Sequence, residues 1–304
     1  MHTFRTIGRK WVREYPLHLM MVPGVMLLLI FSYGPMAGIV MAFQRFNVTK
    51  GFLYSEWVGL DNFAFILQIP DVWEVFRNTI FIAVMKLIAG LVVPVLLALM
   101  LNELRGRFVK RSIQTVIYLP YFLSWVLLAG IMIDILSPSN GIVNQVLAWF
   151  GFEPVFFLGD ERVFPYLLVA SHVWKEAGFG TIVYLAALTG INPTLYEAAV
   201  VDGANRWRQT WHVTLPGIAP IIILMTVLSL GSILNAGFDQ VFNLYNPLVY
   251  STGDIIDTMV YRMGLIDAQY SVAAAIGLFK SVLSTILIVI SYKLADKYAG
   301  YRVL

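Results

Sequence analysis

Long apolar runs separated by polar, charged segments dominate the pattern of this chain. The runs lie at about 17–43, 78–101, 113–136, 163–189, 217–236 and 270–292. Each reaches the roughly 20 residues that a helix needs to cross the ~30 Å hydrocarbon core of a bilayer. Barrel strands need only ~10 alternating residues, and glycine or proline inside a run is compatible with a membrane helix. The pattern therefore predicts an all-α integral membrane protein with six transmembrane helices.

Lysine and arginine are distributed unevenly between the two sets of connecting segments. With the N-terminus placed in the cytoplasm, the inner segments carry thirteen of these residues and the outer segments five, whereas acidic residues number five inside and eleven outside. Because positive charge collects on the cytoplasmic side, both termini are predicted to be cytoplasmic. The first run resembles a secretory signal but exceeds its usual ~7–15 apolar residues, so we interpret it as a retained helix.

The composition agrees with a membrane protein and offers no catalytic motif. The chain has 304 residues, of which 59% are hydrophobic and 13% charged, with no cysteine. Soluble domains are nearer a quarter charged. The absence of cysteine excludes disulfides and thiolate metal sites, and the sequence contains neither a phosphate-binding loop nor a serine-hydrolase or zinc-protease motif. We therefore predict no enzymatic activity, no metal and no cofactor, and any ATP would be hydrolysed by another polypeptide.

A polar, amphipathic insert separates the fourth and fifth runs on the predicted cytoplasmic side. Asn192–Pro193 is typical of a helix start, with a capping residue followed by proline at the first helical position. Asp202–Gly203 is typical of a helix end, where glycine adopts the left-handed conformation. A second short helix is predicted from Asn205 to Val213, with Trp207 and Trp211 on one face. Such a structured loop suggests a docking site for a cytoplasmic protein, or a simple cap on the bundle.

The insert resembles the EAA loop of permease subunits of binding-protein-dependent ABC importers. The resemblance lies in Glu197-Ala198-Ala199, in Gly203 and in Val213-Thr214-Leu215-Pro216. Asp202 and Pro220 also agree with the family pattern, which usually has isoleucine where Val213 stands. The likeness is greatest to carbohydrate importers of the maltose-permease type that handle oligosaccharides from polysaccharide breakdown, and it rests on the whole stretch 196–262.

The resemblance implies a type I ABC importer permease fold in a prokaryotic plasma membrane. Residues 1–304 would form a single transmembrane domain, with a MetI-like five-helix core at 75–292 and the first helix as an addition. The loop at 192–216 would couple the permease to a cytoplasmic ATPase. The residues implied in that coupling are Glu197, Ala198, Ala199, Asp202, Gly203, Leu215 and Pro216. The implied partners are a second permease, usually forming a heterodimer, two ATPase subunits, an extracellular solute-binding protein and a carbohydrate, but no nucleic acid.

The stretch that follows the fifth run combines amides and a carboxylate with aromatic rings. Sugars present hydroxyl groups to the former and an apolar C–H face to the latter. The candidate substrate-pathway residues are Asn235, Phe238, Asp239, Gln240, Asn243 and Tyr245. The same residue types are also typical of an aromatic belt at the membrane interface, with a polar loop beside it. Both interpretations stay open at the level of sequence.

Charged residues fall inside the predicted spans at Lys86, Lys175, Glu176 and Lys280, and Asp134 lies near the outer end of a span. Each costs at least ~2.5–3.5 kcal/mol at the bilayer centre unless it finds a partner or water. They are therefore expected to face the bundle interior, as structural ion pairs, as part of a translocation path, or at an interface with a second permease. Lys175 and Glu176 are adjacent on a helix and point in different directions, so they need not pair.

Two other functions are compatible with a polytopic membrane protein. An ion-coupled secondary transporter would use Lys86, Asp134 and Glu176 as a relay, but it would need inverted repeats and broken helices around a midplane site, and the two halves show no clear repeat. An intramembrane enzyme or an assembly scaffold is the second alternative. Neither requires the spacing of Glu197, Gly203 and Pro216.

Overall fold

The computed structural model describes residues 2–104, 106–231 and 233–299, and it describes side chains only from residue 14 to 293 of these. The predicted cytoplasmic charges that lie outside the described side chains are Arg5, Arg9, Lys10, Arg13, Arg105, Lys297 and Arg302. The chain divides into two compact units, one of residues 1–68 with 263–278 and one of residues 69–262 with 279–304. Each unit is described by itself.

The first unit contains a long N-terminal helix and a small hairpin. Its elements are α1 (His2–Leu28), a π-helical turn (Leu29–Tyr33), α2 (Gly34–Met36), a 3₁₀ segment (Ala37–Phe43), β1 (Gln44–Arg45), α3 (Gly51–Tyr54), β2 (Glu56–Trp57) and α4 (Asp61–Ile66). The strands pair antiparallel, with Gln44 opposite Trp57. The Asn62 side chain donates to the carbonyls of Ala42 and Gln44, at 2.9 and 3.0 Å, and so fixes α4 beside the hairpin.

The second unit is a helical bundle with short helices at its ends. Its elements are α5 (Val72–Glu103), α6 (Arg107–Tyr118), a 3₁₀ turn (Leu119–Phe122), α7 (Trp125–Ile135), α8 (Ile142–Trp149), α9 (Phe164–Thr189), α10 (Pro193–Val201), α11 (Arg206–Gln209), a π-helical turn (Thr210–Thr214), α12 (Leu215–Leu230), α13 (Phe238–Leu244), a 3₁₀ turn (Pro247–Val249), α14 (Tyr250–Gly253) and α15 (Ile256–Tyr261). A π-helical turn (Arg262–Ile266) leads from α15 to the boundary, and α16 (Tyr270–Ala299) runs through both units.

Four of the six predicted spans are helices that are both long and apolar enough to cross a membrane, within the described residues. They are Glu14–Phe43, Val72–Glu103, Arg206–Leu230 and Tyr270–Lys293. A fifth is obtained if a bent pair of helices counts as one span. The predicted span at 163–189 is present as the 26-residue helix α9, but it does not meet the same requirement for apolarity. The described chain therefore shows four or five candidate spans, and the number six is not established by length and composition.

The third predicted span, 113–136, is wrong as a continuous helix. The structure has Arg107–Phe122 and Trp125–Leu136 meeting at an angle of 108°. The break follows Pro120, and Ser124 starts the second half by accepting the Leu127 N–H at 3.3 Å. Apolarity alone gave no sign of this bend, because both halves are apolar where they meet.

The fifth predicted span, 217–236, is displaced toward the N-terminus. The helix is continuous from Arg206, through the π-turn at Thr210–Thr214, to Leu230. Pro216 lacks an N–H and cannot bond to the carbonyl four residues back, and the Leu215 N–H instead bonds to the Thr210 carbonyl, five residues back. The predicted separation between a short helix at 205–213 and the span is therefore wrong. Asn235 lies beyond the end of α12, in an irregular segment.

Close packing of α5 against α9 forms the centre of the second unit. A Cβ on Gly180 would lie 3.1 Å from Pro94 Cγ, so glycine makes this close approach possible without displacing the proline ring. The Thr181 hydroxyl lies beside the same proline. It donates to the Ala177 carbonyl at 2.6 Å and to the Pro94 carbonyl at 3.4 Å. Small residues and hydroxyl groups at helix contacts are typical of membrane bundles. This pair of helices provides most of the walls of the candidate site.

Candidate functional site

The insert between α9 and α12, predicted to be cytoplasmic, folds as its local sequence predicts. The Asn192 side chain accepts the Thr194 N–H at 3.1 Å and so starts α10. Gly203 has φ +73°, and the Ala204 N–H bonds to the Ala199 carbonyl at 2.8 Å, which closes α10 with a Schellman motif. The Asn205 side chain then accepts the Arg208 N–H at 2.9 Å and starts α11. The predicted caps at both ends of α10 are thus confirmed.

Two contacts fix the insert to the rest of the unit. The Tyr196 hydroxyl lies 3.0 Å from the Thr214 hydroxyl, which itself donates to the Gln209 carbonyl. Arg206 pairs with Glu103, near the end of α5, at 2.6 Å. Because both charged side chains are about half exposed or more, the pair contributes at most ~1 kcal/mol. The insert is therefore a shaped surface rather than a flexible turn.

The insert exposes large apolar side chains together with a carboxylate. Val201 is 87% exposed and Trp207 69% exposed, and Leu195, Val200 and Trp211 are also more than half exposed. The rings of Trp207 and Trp211 lie 5.9 Å apart on one face, as predicted. Of the predicted coupling residues, Glu197, Ala198, Asp202, Gly203 and Pro216 are exposed, whereas Ala199 and Leu215 are half-buried. Exposed apolar patches of this kind are typical of protein-binding surfaces.

A cavity of about 310 Å³ lies between α5, α9, α12 and the irregular segment that ends at Gly237. Its walls are largely apolar, with polar side chains at five positions: Lys86, His172, Glu176, Ser229 and Asn235. The volume is at the lower end of the range typical of ligand pockets, and a mainly apolar wall with a few polar groups is their usual composition.

The structure brings three of the predicted residues together at this cavity, namely Asn235 and the intramembrane charges Lys86 and Glu176. His172 and Ser229 are the two polar lining residues that the sequence interpretation passed over. The described residues contain no cluster suited to a metal ion. For His172 a signal was available, namely its position four residues before Glu176, which places both side chains on one face of α9.

The remaining predicted substrate-pathway residues do not line this cavity. Gly237, with φ +92°, redirects the chain, and α13 then begins at Phe238. Phe238 stacks on Phe242 at 5.2 Å, Asp239 is exposed, and Asn243 donates to the Asp239 carbonyl at 2.7 Å. Tyr245 packs on Tyr250, and its burial raises its pKa to about 12, so its phenol stays protonated.

Gln240 does not line the cavity in this structure, because its side chain is fully buried and bonded at both ends of its amide. Its Oε1 accepts Lys86 Nζ at 2.5 Å, and its Nε2 donates to the Leu168 carbonyl and the Ser171 hydroxyl, each at 2.7 Å. Lys86, which is 5% exposed, also donates to the Ala236 carbonyl at 2.5 Å. The bonds join α5, α9 and α13, so Gln240 and Lys86 shape the cavity wall.

The other intramembrane charges also find partners within the unit. Lys280 pairs with Asp257 at 2.5 Å. Lys175 donates to the carbonyls of Tyr121 and Leu123 at 2.8 and 2.9 Å, whereas its separation from the Glu176 carboxylate is 3.9 Å. Lys175 and Glu176 thus lie at the outer limit of an ion pair, and the hydrogen bonds of Lys175 go to the two carbonyls. Asp134, the third member of the alternative ion relay, is exposed on α7 and does not line the cavity.

Comparison with known proteins assigns the chain to a family. Residues 90–299 match the family described as the binding-protein-dependent transport system inner membrane component. The chain is 40% identical, over 95% of its own length and 90% of the relative's, to the polygalacturonan/rhamnogalacturonan transport system permease protein YteP of Bacillus subtilis (strain 168).

Solved structures agree with this assignment. The chain is similar, with a TM-score of 0.89 and 38% identity over 96% of its length and 99% of the other chain, to a bacterial ABC transporter involved in the import of the acidic polysaccharide alginate. A second structure of a bacterial alginate ABC transporter, in complex with an alginate pentasaccharide-bound periplasmic protein, gives a TM-score of 0.86 and 39% identity over 95% and 96% of the two chains. The chain therefore belongs to the inner membrane components of binding-protein-dependent transport systems, the permease subunits of ABC importers, and not to the ion-coupled carriers.

Proposed function

We propose that this permease forms half of a translocation pathway for a carbohydrate, in particular for an oligosaccharide released from a polysaccharide. The relatives support this substrate class, since one is named for polygalacturonan and rhamnogalacturonan and the similar solved transporter imports alginate. The partners are a second permease in a heterodimer, two ATPase subunits that hydrolyse ATP, and an extracellular solute-binding protein. The solved complex with a periplasmic protein supports the last of these.

The loop at 192–216 is the docking surface for the ATPase. The observation that carries this proposal is the exposed apolar face of α10 and α11 beside Glu197, on a loop whose helices are fixed by capping bonds. A rigid surface transmits movement better than a flexible turn, and the Arg206–Glu103 pair joins it to α5. Movement of the ATPase would thus reach both α5 and α12, which line the cavity.

The finer topology has six spans with both termini in the cytoplasm, α9 being the fourth. A helix of 26 residues is about 39 Å long, which is enough to cross the ~30 Å core. Its polar residues need not face lipid, because Lys175 is bonded to carbonyls and Glu176 lines the cavity. The core is residues 75–292 of a single transmembrane domain, 1–304, to which the first helix is an addition.

The cavity beside Asn235 is the solute-contacting part of the pathway. Amide, imidazole and carboxylate groups that bond sugar hydroxyls are present at Asn235, His172 and Glu176, and Phe179 adds an aromatic ring. The other predicted pathway residues would contact the solute only outside this cavity, on the side of α13. They are Phe238, Asp239, Asn243 and Tyr245.

Affinity purification in mild detergent from the native cells tests the docking proposal. The wild-type chain is expected to retain an ATPase subunit, and the variant Glu197→Lys/Gly203→Asp is expected to lose it. The matched control is Glu153→Lys/Gly151→Asp, which also reverses an exposed carboxylate and replaces a glycine at positive φ, +81°, but on the predicted outer side. Loss of the ATPase from both double variants, or its retention by both, would contradict the assignment of the docking surface.

A further inference from the structure

The break in the third span is occupied by one lysine side chain from α9. The 3₁₀ turn ends at Phe122 and α7 begins at Trp125. Lys175 Nζ donates to the carbonyls of Tyr121 and Leu123, on either side of the end of that turn. The same ammonium lies 5.3 Å from the centre of the Tyr121 ring and 5.8 Å from that of Trp125. Four groups at the break thus contact one cation.

These contacts supply a donor to two carbonyls, of Tyr121 and Leu123, that no backbone N–H of the described residues reaches at the break. Carbonyl groups at a helix break in a membrane need a donor, since hydrocarbon supplies none. The Lys175 side chain is 9% exposed, so water contributes little. The Glu176 carboxylate is 3.9 Å away and is too distant for a hydrogen bond. The two carbonyls are therefore the main partners of Lys175, and Lys175 is their donor.

Two neighbouring residues of α9 hold the break against the same helix. The Phe179 ring stacks on Tyr121 with centroids 4.3 Å apart and planes inclined by 6°. Gly178 lets the Ile117 carbonyl approach so closely that a Cβ on this residue would overlap with it. Phe179 also lines the cavity, as do His172 and Glu176 on the adjacent turn. One stretch of α9 therefore contacts both the cavity and the break.

We propose that Lys175 is a positioning residue that holds the third span at its sharp bend and joins this bend to the cavity wall on α9. Displacement of α9 during transport would move both halves of the broken span, because each half supplies a group bonded to or stacked on the same lysine. The proposal rests on contacts inside the second unit and does not depend on the docking loop or on which solute is carried.

Spin labels on the two halves of the span test this proposal. The chain has no cysteine, so Val116→Cys on α6 and Ile133→Cys on α7, both at exposed positions, take the labels. The full transporter, with cysteine-free partner subunits, is placed in nanodiscs and the label-to-label distance distribution is measured by pulsed electron paramagnetic resonance. With Lys175 present we expect a narrow distribution.

The test compares three substitutions in the labelled transporter. Lys175→Met nearly keeps the length of the side chain but removes all its hydrogen-bond donors. It is expected to lower the ratio of the bent conformation to other conformations about tenfold or more. The label-to-label distance distribution should then be broad or displaced. Lys175→Arg keeps several donors and is expected to restore the narrow distribution. Lys175→Gln, too short to reach both carbonyls, is expected to broaden it and replaces the methionine variant if that one does not assemble.

Two outcomes would overturn the proposal: a narrow, unshifted distribution without the lysine, or equal broadening by arginine and methionine, which would assign the bend to packing alone. Retention of the ATPase by the Lys175→Met transporter separates this result from failure of the docking surface.

Discussion

At the scale of single residues, Lys86 and Lys175 show how a membrane bundle accommodates an ammonium group whose nearest partners are carbonyl and amide oxygens. Lys86 is bonded to an amide oxygen and a backbone carbonyl, and Lys175 to two carbonyls. Only Lys280 has a carboxylate partner closer than 3 Å among these three. A bonded ammonium avoids the cost of an unpartnered charge in hydrocarbon. The lysines are therefore structural links between segments that are far apart in sequence.

The Lys86–Gln240 bond predicts a coupled loss of stability. Lys86→Met leaves the Gln240 and Ala236 oxygens without this donor and is expected to lower the free energy of unfolding by about 1–3 kcal/mol. Gln240→Leu is expected to cost a similar amount. The double variant should be less unstable than the sum of the two, because both partners of one bond are removed. Unfolding midpoints of all four proteins in one detergent measure this, and strict additivity would show that the bond contributes nothing.

Asn235 and Asn243 are predicted to respond differently in transport. Asn235→Ala is expected to raise the KM for solute uptake by roughly tenfold with little change in protein level, because one amide that bonds the solute is lost. Asn243→Ala is the matched control, since Asn243 lies outside the cavity and bonds its own helix. Uptake by reconstituted transporter measures both, and an unchanged KM for Asn235→Ala would remove this residue from the pathway.

At the scale of elements, the close contact between α6 and α9 depends on the absence of a side chain at Gly178. Gly178→Ala would place a methyl group against the Ile117 carbonyl, which is backbone and cannot rotate away. The helices would have to separate, at an expected cost of about 1–3 kcal/mol. Gly130→Ala on α7 is the control, because a Cβ there meets nothing within 4 Å and alanine favours a helix by up to ~1 kcal/mol.

Thermal unfolding of the two glycine variants in detergent checks this prediction. The midpoint should fall for Gly178→Ala and stay the same or rise for Gly130→Ala. Equal midpoints would mean that the packing of α6 against α9 does not depend on glycine at this position.

At the scale of the whole molecule, the six-span topology predicts which surfaces reagents reach. Since the chain has no cysteine, single cysteines can be placed at Val201 and Phe152, both exposed and on opposite predicted sides. In intact cells, or spheroplasts where an outer membrane is present, a membrane-impermeant maleimide is expected to label Phe152→Cys only. Val201→Cys, which lies on the proposed docking surface, should react only after lysis and dissociation of the ATPase. Labelling of Val201→Cys before lysis would reverse the orientation and would also contradict the proposed position of the ATPase.

What the sequence predicted correctly depends on short-range chemistry. The caps at Asn192 and Asn205 and the left-handed Gly203 are decided by residues within a few positions of one another, so both ends of α10 and the start of α11 could be predicted from the sequence. Most of the long apolar helices were found for a similar reason, because each must match the bilayer by itself. The family assignment also followed from this loop, where several residue types recur at fixed spacing.

The tertiary structure decided what depends on segments distant in sequence. The sequence placed Gln240 among the solute contacts. In the structure Lys86, 154 residues away, bonds to Gln240, whose side chain is buried in the bundle and does not line the cavity. The sequence interpretation passed over His172, which becomes notable only when α5, α9 and α12 surround a cavity. The sequence predicted one continuous helix at 113–136. In the structure this segment is two helices that meet at 108°, and Lys175 donates to carbonyls at the break. Hydropathy reports the preference of each segment for lipid, but bends, cavities and buried bonds arise where segments pack, and packing is decided only when all of them are in place.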